Sequence, residues 1–299
     1  MLRLYKTIRH RKGRLEEGKM MNYKNTKLIK RVLFIMFFLI FILIIIFPFY
    51  WMIVTSLKSP DALVNFSANL IPPKVYFENY IYVFENSKLL KYLQNSLIVS
   101  GGTTIICMWL ASLSAYSIAR LKIKGKKYIM AFILAVSVFP GIAMVSPLFV
   151  IFKEIHILNT YWGLILPYIT FALPLAIWNL HAYFKDIPKE MEESAKIDGA
   201  SSLKILWKII LPITAPGLFT TAIIVFISSW NEFLFGLIFV SKDSMRTVPV
   251  GIMMFQGEYN IPWGELSAAA VVATVPIIIV VLIFQKRIVS GITAGAVKG

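Results

Sequence analysis

Few residues of this chain could do chemistry within a membrane. Glu232 lies in Trp230-Asn231-Glu232-Phe233 and is the only charged residue of a long apolar run. An acid in a bilayer costs free energy, so it is kept where it lines a translocation path or bonds to a neighbouring helix. Both interpretations stay open for Glu232, with Trp230 and Asn231 beside it as candidate path or gate residues. His181, near the end of another apolar run, is better explained as an interfacial or hydrogen-bonded residue.

The sequence offers no arrangement typical of an enzyme active site. HExxH, GxSxG and the Walker A phosphate-binding loop do not occur, and no apolar run contains paired aspartates. The single cysteine, Cys107, lies in an apolar run and cannot form an internal disulfide. We therefore expect no catalytic residue, no metal site and no cofactor bound by this chain.

The composition is that of a membrane protein. Hydrophobic residues make up 58% and charged residues 15% of the chain, and the mean hydropathy is +0.73. A soluble domain has about 25% charged residues, and a membrane-spanning helix needs about 20 consecutive apolar residues. Six runs meet that length, so the sequence predicts an all-α polytopic membrane protein. The predicted spans are 32–57, 93–119, 128–152, 162–184, 217–240 and 266–285.

The first span follows a basic segment, residues 1–31, which has eleven Lys/Arg and two acids. The span has no charge over 26 residues. It is longer than the core of a signal peptide, which has about 7–15 residues, and it lacks a small-residue cleavage site. We expect it to be retained.

Basic residues are distributed unequally between the two ends of the six spans. Both termini, the turn 120–127 and the loop after the fourth span fall on one side, which has 24 of the 31 Lys/Arg. The positive-inside rule places that side in the cytoplasm. The net charge of +16 is thus explained by topology and lipid phosphates, without nucleic acid as a partner.

The loop after the fourth span, Pro188–Pro216, is predicted to form two short amphipathic helices joined at Gly199. Ser201 is a suitable cap for the second helix, and we expect Gly199 to have a positive φ. The spacing of Leu203, Leu206, Trp207 and Ile210 predicts one apolar stripe.

This loop resembles the cytoplasmic loop of binding-protein-dependent ABC importer permeases. Their pattern is Glu-Ala-Ala, three residues, Gly, nine residues, then Ile-x-Leu-Pro. Here Glu193-Ser194-Ala195, Gly199, Ile209 and Leu211-Pro212 keep every spacing, and Ser194 replaces the middle alanine. Ser229–Phe233 and the C-terminal stretch from Trp263 are similar to segments of the carbohydrate-uptake, MalG-like permeases.

The resemblance implies a type I ABC importer (MetI-like) permease fold, with the permease domain at 91–285, its coupling loop at 188–212 and a cytoplasmic tail at 286–299. Such permeases pair with a second, MalF-like subunit, bind two ATPase subunits that hold ATP and Mg²⁺, and accept a sugar from an extracytoplasmic binding protein. The implied ATPase-coupling residues are Glu192, Glu193, Ser194, Ala195, Asp198, Gly199, Ala200, Ile209, Leu211 and Pro212.

Two further contacts are implied by the resemblance. The outer loop before the last span would touch the binding protein through Phe255, Gln256, Tyr259 and Asn260. The tail would touch the ATPases through Thr293, Ala294 and Gly295.

We therefore predict a multi-pass permease subunit in the cell membrane, with both termini cytoplasmic. Its function would be import of a di- or oligosaccharide by alternating access, driven by ATP hydrolysis on partner subunits. The alternatives are an ABC permease for another solute, such as glycerol phosphate or an amino acid, and an ion-driven secondary transporter. The last usually needs several ionisable residues within the membrane, and this chain offers one acid and one marginal histidine.

Overall fold

The computed structural model describes residues 2–65, 69–72, 74–255 and 261–296, with side chains within 27–286 apart from residue 28. The described residues form helices, turns and loops, without a β-strand among them. The chain divides into two compact units, residues 1–54 and 55–299.

The first unit consists of most of α1, which runs from Leu2 to Ser56 without a break between the basic segment and the first apolar run. Pro48 lies inside this helix. Aromatic rings four residues apart stack along it, with centroids 6.4 Å apart for Phe37–Phe41 and 6.1 Å apart for Phe47–Trp51. Side chains at this spacing lie on the same face of a helix, so the pairs are local support for α1.

The second unit contains the remaining helices. In chain order these are α2 (Pro60–Val64), α3 (Glu78–Glu85), α4 (Leu89–Arg120), α5 (Lys126–Ser137), α6 (Gly141–Glu154), α7 (Trp162–Lys185), α8 (Glu190–Ile197), α9 (Ser202–Ile205), α10 (Leu211–Ile213), α11 (Ala215–Trp230), α12 (Leu234–Phe239), α13 (Val248–Met253) and α14 (Trp263–Ala296). A π-helical turn, Leu206–Ile210, joins α9 to α10, and a 3₁₀ turn, Asp243–Met245, precedes α13.

Four helical segments among the described residues are long and apolar enough to cross a membrane: Ile29–Ser56, Leu89–Arg120, Trp162–Lys185 and Trp263–Lys286. Two further pairs, α5 with α6 and α9–α10 with α11, reach that length together but are each bent by 86°. Counting each bent pair as one span gives up to six.

Neither the predicted third span nor the predicted fifth span is one continuous helix. α5 ends at Ser137 and α6 begins after Pro140, whose φ of −68° and ψ of 121° are extended. A proline has no N–H to donate and disfavours helical backbone in the residue before it, which explains a break at this point. The fifth run is interrupted at 231–233, where α11 ends and before α12 begins.

The core of the second unit is built around α4. It packs against α7 and α11, and its buried contact positions include the small residues Ala111, Ser112 and Ala115. Small side chains allow close approach of membrane helices, where there is no hydrophobic effect to bring helices together. A second cluster, at the other end of α4, joins Val83 of α3, Leu89, Trp230 and the start of α14. The α4–α7–α11 core thus supports the loop that connects α7 to α11.

Candidate functional site

The loop between α7 and α11 forms an elbow, defined here as residues 188–216. Its first arm, α8, ends in a Schellman motif: Ala200 N donates to Ala195 O at 2.9 Å, and Gly199 N donates to Lys196 O at 3.0 Å. Gly199 has a φ of 79°, as expected for the residue that closes this motif. Ser201 then caps α9, because its Oγ accepts from Lys204 N at 3.4 Å. Local signals in the sequence therefore account for the turn between the arms.

The first arm has one buried and one exposed face. Glu192 and Ala195, three residues apart, are buried, whereas Glu193, Ser194 and Asp198 are exposed. Ser194 Oγ donates to Glu190 O at 2.9 Å, so the serine at the alanine position satisfies its hydroxyl within its own helix. The exposed face of the first arm therefore does not pack against the hydrophobic core of the second unit.

The second arm differs from the predicted single stripe. Leu206 and Ile210 are fully buried, but Leu203 and Trp207 are 58% and 49% exposed. A π turn interrupts this arm, because Leu211 N donates to Leu206 O, five residues back. This turn precedes Pro212, which has no N–H for a regular helical bond, and it changes the direction in which successive side chains point. Leu211 is buried, Ala200 and Ile209 are half-buried, and Pro212 is exposed.

A buried ion pair anchors the elbow to the membrane helices. Arg120, the last residue of α4, places Nε 2.8 Å from Oε1 of Glu192, although neither atom meets the geometry of a hydrogen bond. Arg120 Nη2 donates to the carbonyl oxygens of Phe184 and Ile187, at 2.5 Å each. Tyr116 OH lies 3.5 Å from the second carboxylate oxygen of Glu192. The sequence does not single out Arg120, because this residue opens a basic turn whose positive charges are explained by the positive-inside rule.

The candidate gate residues lie at the break after α11. Glu232 accepts hydrogen bonds from Phe235 N at 3.0 Å and Gly236 N at 3.3 Å, so its carboxylate satisfies the first free N–H groups of α12. Trp230 is 3% exposed and belongs to the second hydrophobic cluster, near the start of α4. Asn231 is exposed. Of the two interpretations of Glu232, these bonds favour structural hydrogen bonding.

The loops near the start of α4, at the opposite end of this helix from the elbow, surround a polar cavity of about 310 Å³, lined among others by Tyr92, Asp243, Phe255 and Glu265. Asp243 is held by Lys88 Nζ at 2.5 Å, Tyr92 OH at 2.8 Å and Arg246 Nη1 at 2.8 Å. The hydrogen bonds from Lys88 and then Tyr92 lower the pKa of the Asp243 carboxyl.

The remaining predicted residues are only partly described. Phe255 is half-buried, whereas Gln256, Tyr259 and Asn260 lie outside the described residues. Thr293, Ala294 and Gly295 belong to α14, which continues to Ala296. The tail predicted to begin at residue 286 therefore continues the last membrane helix. The small residues of this stretch do not interrupt the helix. Residues 286–296 contain no proline, the residue that most strongly breaks a helix. No group of three or more potential metal ligands occurs in the described part of the chain.

The sequence matches the family described as "Binding-protein-dependent transport system inner membrane component" over residues 107–294. The chain belongs to this family. The match includes the elbow, the segment Trp230–Phe233 and most of the last membrane helix.

Full-length relatives agree with this assignment. The permease is 44% identical to the trehalose/maltose transport system permease protein MalG of Thermococcus litoralis, over 91% of this chain and 99% of the relative. It is 44% identical to the trehalose transport system permease protein SugB of Mycobacterium tuberculosis, over 84% and 92%. It is 40% identical to the sulfoquinovosyl glycerol transport system permease protein SmoH of Agrobacterium fabrum, over 85% and 89%.

The fold also matches a solved transporter. A chain from the crystal structure of a bacterial ABC transporter for import of the acidic polysaccharide alginate aligns with a TM-score of 0.75 and 22% identity. The alignment covers 87% of this permease and 96% of that chain. The family match and the full-length relatives show that the permease is a membrane subunit of an ABC importer, and the solved transporter shares its helical fold.

Proposed function

We propose that this permease moves a di- or oligosaccharide across the cell membrane by alternating access, with ATP hydrolysed on partner subunits. The 44% identity to the trehalose/maltose permease, over almost the full length of both chains, is the observation that carries the proposal. Relatives named for a sulfoquinovosyl glycerol and for diacetylchitobiose support a glycoside substrate more broadly.

The elbow is the proposed contact with the ATPases. Its exposed residues include Glu193, Ser194 and Asp198 on the first arm and the large apolar Ile197 and Leu203 on either side of the turn between the arms. A surface that combines exposed large apolar side chains with charges is typical of a protein–protein contact. Two ATPase subunits, one on this permease and one on a second, MalF-like permease subunit, would complete the transporter. ATP and Mg²⁺ would bind to the ATPases.

Orientation follows from the charges. With the elbow and both termini in the cytoplasm, the basic turn at 120–127 and the elbow face the side where the ATPases reside. The opposite side carries the outer cavity and the loop of Phe255, Gln256, Tyr259 and Asn260, which would contact the sugar-binding protein. A structure similar to this fold, with a TM-score of 0.62, is that of an alginate transporter in complex with an alginate pentasaccharide-bound periplasmic protein.

Uptake by cells tests the substrate class. Cells that lack the chromosomal copy of this gene would be complemented with the unmodified chain, and uptake of labelled trehalose, maltose, glycerol 3-phosphate and an amino acid would be compared. The proposal expects sugar uptake that is restored by the chain and persists when an uncoupler is added with ATP held constant. Restored uptake of glycerol phosphate or the amino acid alone would contradict the sugar assignment, and uptake abolished by the uncoupler would contradict ATP as the driving force.

A further inference from the structure

Arg120 joins three separate pieces of the chain at one buried point. Its guanidinium contacts Glu192 on the first arm of the elbow and the carbonyls of Phe184 and Ile187 at the end of α7, while its own backbone ends α4. The side chains of Arg120 and Glu192 are 4% and 5% exposed. The ion pairs of Asp243 with Lys88 and Arg246 are much more exposed.

A buried ion pair is not explained by stability alone. Removing two charges from water costs free energy that their attraction often only balances, and apolar residues of similar volume frequently serve as well. What such a pair can supply is a fixed geometry. Arginine suits this task because its planar fork presents several donors in fixed directions, and three of its contacts here lie on different elements.

The two arms of the elbow are attached to the membrane helices in different ways. The second arm continues through α10 into α11 and buries Ile205, Leu206 and Ile210. The first arm follows α7 after a short connection, and only Glu192 and Ala195 of α8 are buried. Arg120 and Tyr116 of α4 therefore both contact α8 through the buried Glu192.

We propose that Arg120 is a positioning residue that locks the first arm of the elbow to α4 and α7, so that a displacement of the elbow moves both helices as one body. The inference rests on the proposed function, because it takes the elbow to be gripped by the ATPase. Glu192 is the partner on the elbow that receives the displacement. A contact that is rigid and buried transmits movement, whereas a mobile surface pair would absorb it.

The test uses the complete transporter in proteoliposomes, with the variants Arg120→Lys and Glu192→Gln. Lysine keeps the charge but lacks the fork that reaches both carbonyls and the carboxylate, and glutamine keeps the shape but removes the charge. Lys122→Gln and Glu190→Gln, at exposed positions in the same two regions, are the matched controls. Three quantities are measured: the assembled fraction, sugar transported per ATP hydrolysed, and a cross-link from Ile197→Cys, which is 87% exposed, to the ATPase.

We expect both variants to assemble and to keep the cross-link, while sugar transported per ATP falls about tenfold or more, the effect expected when a buried charge loses one of its polar contacts. The controls should keep the unmodified ratio. A purely structural role would lower the assembled fraction and leave the ratio of the surviving complexes unchanged, and this result would overturn the inference.

The remaining outcomes also decide the question. If a single variant does not assemble, Arg120→Met/Glu192→Met removes both buried charges at once, an exchange that is often neutral for stability. This double variant should assemble and stay uncoupled, and an unmodified ratio would overturn the positioning role. Absence of the cross-link in the otherwise unmodified transporter would overturn the ATPase-docking elbow and this inference with it. A normal cross-link with normal coupling in every variant would overturn this inference alone.

Discussion

Gly199 is the position where the elbow's geometry depends on one residue. Its φ is 79°, and a Cβ added there would meet no other atom within 4 Å. A substitution therefore changes the backbone energy without a steric clash elsewhere. Gly199→Val places a β-branched side chain in the left-handed region, which is the least favourable choice for that conformation.

The size of the effect follows from the conformational cost. An L residue in the left-handed region costs about 1–2 kcal/mol, with valine towards the upper end. If the ATPase binds the elbow only in the angle seen here, the same free energy is lost from attachment. Since 1.4 kcal/mol is tenfold in an equilibrium constant, attachment should weaken about 5- to 30-fold. Insertion and pairing with the second permease subunit should be unaffected.

Attachment would be measured by titrating the ATPase onto the permease pair in nanodiscs, alongside sugar-stimulated ATP hydrolysis and transport. Gly101→Val is the matched control, because a Cβ at Gly101 also meets nothing within 4 Å but its backbone is that of α4. Gly199→Asn should lose less than valine, since asparagine tolerates left-handed backbone. Unmodified attachment and normal sugar-stimulated hydrolysis in Gly199→Val would refute the argument.

Three further predictions concern the elbow, the tail and the outer loops. Glu193→Lys should weaken transport by reversing an exposed charge worth about 1 kcal/mol at a contact rim, and a reversed charge on the ATPase should restore part of it; failure of every such reversal to rescue transport would count against an ion pair. Deleting Thr293–Gly299 should leave assembly intact, since Lys286 and Arg287 remain, and should lower transport and sugar-stimulated hydrolysis together; a truncated transporter at the full rate would show that the tail has no role at the ATPases. Because its folded pKa is lowered, Asp243 should contribute stability above its ordinary value of about 3.9, and that contribution should disappear as pH falls through the folded pKa. The difference in unfolding temperature between the unmodified chain and Asp243→Asn should therefore be present at pH 6 and shrink below about pH 4; a difference that does not change with pH would contradict the pairing.

The sequence predicted the features that depend on neighbouring residues. Gly199 and Ser201 fix a turn by their own backbone preferences and hydrogen bonds. The first arm of the elbow and the residue at which it ends could therefore be predicted from residue spacing alone. The membrane spans could be predicted because their apolar runs are long. Pro140 lies at the break between α5 and α6, but the 86° angle between these helices depends on packing against other helices.

Features that depend on tertiary contacts could not be predicted from the sequence. Leu206 and Ile210 are buried while Leu203 and Trp207 are exposed, because burial depends on which elements pack against the arm. The π turn at Leu206–Ile210 also interrupts the regular helix that periodicity assumes. Arg120 lies 72 positions before Glu192, and nothing in a run of basic residues marks the one that is buried. The hydrogen bonds of Glu232 to the start of α12 depend on the break in the helix at 231–233, which the apolar run does not indicate.

The central claim is that this chain is the permease of an ATP-driven sugar importer. The most direct measurement is accumulation of labelled sugar by proteoliposomes that contain the two permease subunits and the ATPases, with ATP on the ATPase side and the binding protein on the other. The account predicts accumulation against a gradient that requires both ATP and the binding protein and that persists when ion gradients are collapsed. Accumulation that proceeds without ATP, or that stops when only the ion gradients are removed, would contradict it.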